Sequence, residues 1–168
     1  MSEIELPLKV LRKTLFWLEV ELPEAFHPDR TPVYIAGIPD FEFYGFPTWG
    51  RPGIKVAVHN GGDITDPDAV DRTVSDAERS EIVDVARQVV HGITGTVLHA
   101  TTCTYTNSPD RDFIVDIVPG YNNVVIGAGF SGHGFKFTPA IGELLVQIVL
   151  GERETMPLFQ LDRFANAD

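Results

Sequence analysis

Three glycines in the last third of the sequence form its most distinctive chemical pattern. Gly127, Gly129 and Gly132, within VVIGAGFSGHGFKF, spell G-x-G-x-x-G between an apolar run and the helix-like segment 138–150. Glycine lets the backbone approach a ligand closely, and the positive amino-terminal end of the next helix favours an anionic or electron-rich group. The pattern therefore predicts a ligand-facing glycine loop.

A dinucleotide-binding fingerprint would need more than this loop. It also requires a second parallel strand that ends, about 20 residues further on, in an acidic residue for the ribose. The segment after the predicted helix contains LFQLDRF, which is a poor pattern for a buried strand. An independent nucleotide-binding domain is therefore disfavoured.

Cys103 and Tyr105 form a second candidate group. They lie two residues apart in the strand-like run GTVLHATTCTYTN, so their side chains share one face of the strand. A thiol and a phenol on one face suit the rim of a cofactor pocket. The alternatives are a small buried hydrophobe at Cys103 and a half-buried sheet tyrosine at Tyr105.

Charged side chains extend the list of candidates. In the alternating run GIKVAVH, Lys55, Ala57 and His59 share one face, while Ile54, Val56 and Val58 would face the core. Lys136 follows the glycine loop, and its neighbours Phe135 and Phe137 suggest partial burial. The alternative for all three charged candidates is an ordinary solvent-exposed group.

The elements that would position these residues are mainly strands. Strand-like runs cover 9–20, 33–38, 41–46 and 53–59, and three more follow residue 92. Ser75 and Glu78 make a capping box for a helix over 76–91, and Gly92 stands where a helix-ending glycine is expected. The acidic stretch 60–73 has the composition of an exposed loop. The fold class is predicted to be α+β, a largely antiparallel or mixed sheet with two main helices.

Composition narrows the function classes. The 168 residues suffice for a sizeable core, and the net charge of −11 disfavours nucleic acid and anionic membranes as partners. The chain has one cysteine, no spacing typical of a metal site and no apolar run long enough to span a membrane. A cytoplasmic protein is expected.

The stretch 103–145 resembles the carboxyl-terminal part of the monomeric sarcosine oxidase and N-methyltryptophan oxidase family. The motifs that carry the resemblance are Cys-x-Tyr-Thr-x-x-Pro-Asp and Gly-Phe-Ser-Gly-His-Gly-Phe-Lys, and FYGFPTWGRPGIKVAVH extends it upstream. The family oxidises secondary amino acids with FAD and reduces dioxygen to hydrogen peroxide. The resemblance implies that an amino-terminal half holding the ADP part of FAD is absent here, and that the strand, glycine loop and helix would pack on that FAD-binding domain.

The resemblance also implies a role for each candidate. Cys103 would bind the flavin covalently as a thioether, and FAD contacts would come from Phe130, Gly132, His133, Gly134 and Lys136. Lys136 would hold the substrate carboxylate, Lys55 would assist the reaction with dioxygen, and His59 would lie beside substrate or flavin. Tyr44 and Tyr105 would line the substrate pocket.

The implied layout has three parts. Residues 6–94 would form a substrate-binding sheet domain, 95–151 the flavin-facing strands and last helix, and 152–168 a tail. An alternative to the oxidase is a non-catalytic substrate-binding remnant or subunit that needs a separate FAD-binding half. Exposed apolar surface would make the chain alone poorly soluble or oligomeric.

Overall fold

The chain packs as two compact units. A computed structural model describes residues 4–165; one unit spans residues 12–103, and the other contains the described residues on either side of that range. The predicted assignment of 6–94 to substrate binding, 95–151 to the flavin side and 152–168 to a tail stays a prediction.

The sheet of the first unit is built largely from antiparallel strands. Its strands are β1 (Lys9–Val20), β2 (Tyr34–Ile38), β3 (Phe41–Phe46), β4 (Ile54–Val58), β5 (Asp63–Ile64) and β6 (Ile93–Asn107). Their order is β2-β3-β4-β1-β5, and β6 also pairs with β1. Strands β2, β3 and β4 form the predicted antiparallel meander, and β1 runs antiparallel to β4.

Helix α1 (Asp76–Val89) covers one face of this sheet. The predicted capping box is present, because the Ser75 side chain accepts from the Glu78 amide and the Glu78 side chain accepts from the Ser75 amide. The helix ends two residues before the predicted end, and Gly92 adopts a left-handed φ of +79° just beyond it. Such a φ favours glycine.

Strand alternation produces the core between α1 and the sheet. Phe16 and Leu18 of β1 and Val56 of β4 point to the same side and pack with the buried face of the helix. The helix contributes Ile82, Val83, Val85 and Ala86 to this core. Each buried large apolar side chain contributes about 1.5–3 kcal/mol relative to its exposed state.

The second unit carries the predicted strand, glycine loop and helix. Strands β7 (Ile114–Ile117) and β8 (Val125–Ala128) pair antiparallel, a 3-10 turn covers Phe135–Phe137, and α2 spans Thr138–Val149. Its core comprises Phe113, Val115, Ile141, Leu144 and Ile148. With mostly antiparallel sheets and two main helices, the predicted α+β class is confirmed.

Shorter elements complete the described chain. Further 3-10 turns occur at Pro23–Phe26, Pro157–Phe159 and Leu161–Phe164. Over residues 4–165, neither α1 nor α2 nor any shorter helix has the length and apolarity needed to cross a membrane.

Candidate functional site

The glycine loop after β8 combines left-handed backbone with buried hydrogen bonds. Gly129, Ser131 and Gly132 have φ values of +63°, +50° and +79°. Ser131 tolerates this unusual conformation because its buried hydroxyl donates to the Gly129 carbonyl at 2.9 Å and its amide donates to Thr106 at 3.0 Å. The loop is therefore a fixed structural feature of the second unit.

Two aromatic rings lie directly on the glycine backbone. A Cβ atom at Gly132 would collide with the Tyr105 ring, and one at Gly134 would come within 2.7 Å of the Phe130 ring. Residues 104–106, 127–132 and 134–135 line a groove of about 500 Å³ at this place. The structure thus brings Tyr105, Phe130, Gly132 and Gly134 together.

His133 and Lys136, which were also predicted to contact FAD, lie outside the lining of that groove. The His133 Nε2 atom lies 3.1 Å from the Arg111 carbonyl, and its ring packs 4.9 Å from that of Phe113. Lys136 is exposed, and its ammonium donates to the His133 carbonyl at 3.1 Å. Lys136 therefore caps the loop from the surface.

The prediction that Lys136 is partly buried between its aromatic neighbours is wrong. Phe135 is 94% exposed and Phe137 is 41% exposed. Both belong to the short 3-10 turn before α2, and aromatic identity alone does not bury a side chain on such a turn.

An ionic cluster braces the loop from the carboxyl-terminal side. Arg163 donates to both carboxylate oxygens of Asp110, at 2.8 and 3.2 Å, and to the Asp112 carbonyl. The Ser108 hydroxyl donates to Asp112 at 2.7 Å, and the Ser108 amide donates to the Ser131 hydroxyl at 3.4 Å. Arg163 lowers the pKa of Asp110 to about 2 by hydrogen bonding.

The first unit holds Lys55 among aromatic rings. Lys55 pairs with Trp17 across β1 and with Phe46 across β3. Its ammonium lies 5.7 Å from the Trp17 ring centroid and 5.0 Å from that of Phe46. Strand alternation places this group on the sheet face opposite α1.

His59 and Tyr44 lie close together in the same unit. Their ring centroids are 6.3 Å apart at 73°, and the His59 amide donates to the Glu42 carbonyl at 2.6 Å. The face that carries Lys55 is not a plain solvent face as the alternative assumed, because Ala57 on it is only 1% exposed. Tertiary packing therefore covers part of both faces of β4.

Cys103 is partly buried. It lies in β6, in the part of that strand that belongs to the first unit. Burial raises the pKa of its thiol, and the positive charges of Lys55 and Lys13 oppose that effect without overcoming it. Lys13 is itself buried and donates to the carbonyls of Asn60 and Gly61 at 2.7 and 2.9 Å. The thiol is therefore held mostly protonated at neutral pH.

Reasoning from the sequence missed three residues that influence the predicted site residues Lys55 and Cys103. In the sequence, Trp17, Phe46 and Lys13 stand only as residues of β-strand patterns. The alternation of β1 does put Lys13 and Trp17 on one face. A lysine on that face is a signal in the sequence that could have pointed to both residues. The pairing partners across the sheet were not readable from local pattern.

Comparison with known proteins gives a consistent result. The model of the FAD dependent oxidoreductase family, abbreviated DAO, matches residues 1–148. A monomeric sarcosine oxidase from Bacillus sp. (strain NS-129) is 32% identical over 167 residues, which cover 97% of this chain and 43% of that protein. An N-methyl-L-tryptophan oxidase from Salmonella newport (strain SL254) is 35% identical, over 96% of this chain and 44% of that protein.

Solved structures show the same architecture. A fructosamine oxidase from Aspergillus fumigatus superposes with a TM-score of 0.71 at 20% identity, covering 96% of this chain and 42% of the other. A modified fructosyl peptide oxidase from Aspergillus nidulans gives a TM-score of 0.73 at 18% identity, over 92% of this chain and 41% of the other. The chain thus spans less than half the length of the curated relatives and solved structures described here.

Proposed function

We propose that this chain, which belongs to the FAD dependent oxidoreductase family, serves the oxidation of secondary amino acids such as sarcosine or N-methyl amino acids. The similarity to sarcosine and N-methyltryptophan oxidases supports this substrate class. The observation that carries the proposal is the groove formed by Tyr105, Phe130 and the glycine loop.

The residues present fit a flavin. The Tyr105 and Phe130 rings occupy the space that side chains at Gly132 and Gly134 would need, so rings and bare backbone together line the groove. Its volume of about 500 Å³ lies within the range of about 300–1,000 Å³ common for small-molecule sites. The nearby amino-terminal end of α2 favours electron-rich groups.

Several residues would hold the cofactor. Cys103 would tether FAD through a thioether, which requires loss of the thiol proton and of one C–H proton from the flavin carbon, with the two electrons finally taken up by dioxygen. Phe130, Gly132, His133 and Gly134 would contact the ring system, and Lys136 would contribute from the surface of the loop. FAD, when bound, would supply a two-electron acceptor for hydride from the carbon beside the substrate nitrogen, with dioxygen as the final oxidant and hydrogen peroxide as its product.

The remaining candidates would act on substrate and dioxygen. The Lys136 ammonium offers the point charge and donors that a carboxylate needs. Tyr44 and Tyr105 would line the substrate site, and His59 would lie beside Tyr44 as it does in the first unit. Lys55 would stabilise negative charge that develops as dioxygen is reduced.

Covalent flavin binding is the first test. We expect the 168-residue chain, incubated with FAD and then acid-precipitated, to keep flavin absorbance in the precipitate. Cys103→Ser should lose that absorbance while keeping the circular dichroism spectrum of the original chain. The retained flavin is measured again after adding an amino-terminal half from a related oxidase, because the resemblance implies such a partner.

Hydrogen peroxide release then tests the activity. The flavin-loaded protein should release peroxide with sarcosine or an N-methyl amino acid, and Lys136→Met should raise the substrate concentration needed for half-maximal rate. Flavin loading without peroxide from any secondary amino acid would refute the substrate class. If the chain retains no flavin either alone or with the added amino-terminal half, but still binds the amino acid, the non-catalytic binding module is favoured.

A further inference from the structure

We propose that Trp17 and Phe46 are positioning residues for Lys55, and that their rings form an aromatic clamp which fixes its ammonium on the sheet face opposite α1. The inference deepens the proposed function, because Lys55 is the group proposed to assist the reaction with dioxygen.

Strand register creates the clamp. Lys55 lies on β4 between β1 and β3, directly opposite Trp17 on one side and Phe46 on the other. Cross-strand neighbours of this kind project from the same face at short distance. The ammonium lies 5.7 and 5.0 Å from the two ring centroids, within the roughly 6 Å reach of cation–π attraction.

Both rings are themselves supported. The Trp17 ring meets His99 edge to face, with centroids 5.1 Å apart at 61°. The Phe46 ring meets Tyr44 edge to face at 6.0 Å and 82°. These contacts limit the motion of the clamp, so the long lysine side chain has fewer positions available.

The clamp attracts the ammonium without neutralising it. Across residues 4–165, no carboxylate oxygen lies within the 4.0 Å of an ion pair from the Lys55 nitrogen. A carboxylate partner would cancel most of the field of the cation, whereas an aromatic face carries no net charge. The charge of Lys55 remains effective at the neighbouring Cys103 thiol.

Nuclear magnetic resonance of the 168-residue chain tests the clamp without any cofactor. Ring currents should shift the Lys55 side-chain protons upfield, and these resonances are identified by their loss in Lys55→Met. Trp17→Leu and Phe46→Leu should each move them towards ordinary lysine positions. Trp17→Phe, which keeps an aromatic face, should move them only part of the way and guards against a leucine variant that fails to fold.

Trp49 is the matched control. It is the other of the two tryptophans and is 78% exposed, so Trp49→Leu removes the same ring from a different surface. This variant should leave the Lys55 resonances in place. Unchanged resonances in folded Trp17→Leu and Phe46→Leu, or the same shift in Trp49→Leu, would overturn the clamp.

Kinetics of the flavin-loaded protein separates the clamp from the proposed function. Trp17→Leu should slow reoxidation by dioxygen by about tenfold while reduction by substrate changes less than about twofold. Added to Lys55→Met, the same substitution should cause no further loss. Normal reoxidation in Lys55→Met would refute the oxygen role of Lys55. The clamp would still stand if the Lys55 resonances shift as expected in Trp17→Leu and Phe46→Leu.

Discussion

The thiol of Cys103 shows how a single residue is tuned by opposing influences. Burial raises its pKa, while the positive charges of Lys55 and Lys13 partly offset that effect. The thiolate is the reactive form, so a raised pKa means less of it at any pH below the folded-state value. Reactivity at Cys103 should therefore depend both on pH and on the positive charges of Lys55 and Lys13.

We predict that alkylation of Cys103 by iodoacetamide accelerates steadily between pH 7 and 9. Lys55→Gln should slow the reaction at least about twofold at each pH, because removal of a nearby positive charge disfavours the thiolate. Lys9→Gln, which removes the same charge from the exposed start of β1, should have little effect. A rate that is flat between pH 7 and 9 would contradict the raised pKa. Mass spectrometry at timed intervals provides the measurement.

At the scale of elements, Glu78 joins the start of α1 to β1. One carboxylate oxygen accepts from the Ser75 amide at 2.8 Å, and the other accepts from Arg12 at 2.7 Å. Arg12 is only 13% exposed and also donates to the carbonyls of Asp71 and Thr73. Glu78 thus caps the helix and balances a mostly buried cation.

Glu78→Ala should cost more stability than Ser75→Ala. The serine change removes one side of the cap, at about 1 kcal/mol. The glutamate change also leaves Arg12 without its carboxylate, and we expect a loss of about 2–4 kcal/mol. Urea unfolding at pH 7 measures both values. Equal losses in the two variants would show that the Arg12 contact adds nothing.

The contact between Arg163 and Asp110 connects the carboxyl-terminal 3-10 turn to the loop before β7. The folded-state pKa of Asp110 is about 2, below its ordinary value of 3.8. A lowered pKa gives stability that is present above the ordinary value and is lost as pH falls towards the folded-state value. The contribution is modest, because the Asp110 side chain is 37% exposed.

Asp110→Asn should therefore reduce stability most at neutral pH. We expect the difference from the original chain to be about 1 kcal/mol or less at pH 6 and to shrink between pH 4 and 2. Chemical denaturation followed at several pH values tests this. A difference that persists undiminished at pH 2 would assign the effect to packing rather than to the carboxylate charge.

At the scale of the whole molecule, α2, the residue that follows it and the turn before it expose apolar side chains. Val146 is 57% exposed and Leu150 is 64% exposed, one helical turn apart, and Phe135 is almost fully exposed. Exposed apolar surface of this kind favours association, although the net charge of −11 opposes it.

We predict that the 168-residue chain self-associates at micromolar concentration. The double variant Val146→Glu with Leu150→Glu should shift it to monomer, because charge on the helix face penalises burial. Ala140→Glu, an exposed position near the start of α2, serves as the charge control. Sedimentation velocity at several concentrations gives the distribution. A sharp, concentration-independent monomer for the original chain would refute the prediction.

Much of the molecule was already determined by the sequence. The alternating runs became strands, the Ser75 and Glu78 pair capped α1, and the glycine pattern formed a loop between β8 and α2. These features depend on residues close together in the chain, and the relevant preferences act over a few positions. The motifs around Cys103 and Lys136 likewise led to the family that the comparison shows.

Only tertiary structure decided how the candidate residues are surrounded. It placed Lys55 between Trp17 and Phe46, buried Ala57 beside it, exposed Phe135 and turned Lys136 onto the His133 carbonyl. Trp17 and Lys55 are far apart in the sequence and meet only through strand register. Local pattern states which face of a strand a side chain occupies, whereas its neighbours on that face are set by long-range pairing and packing.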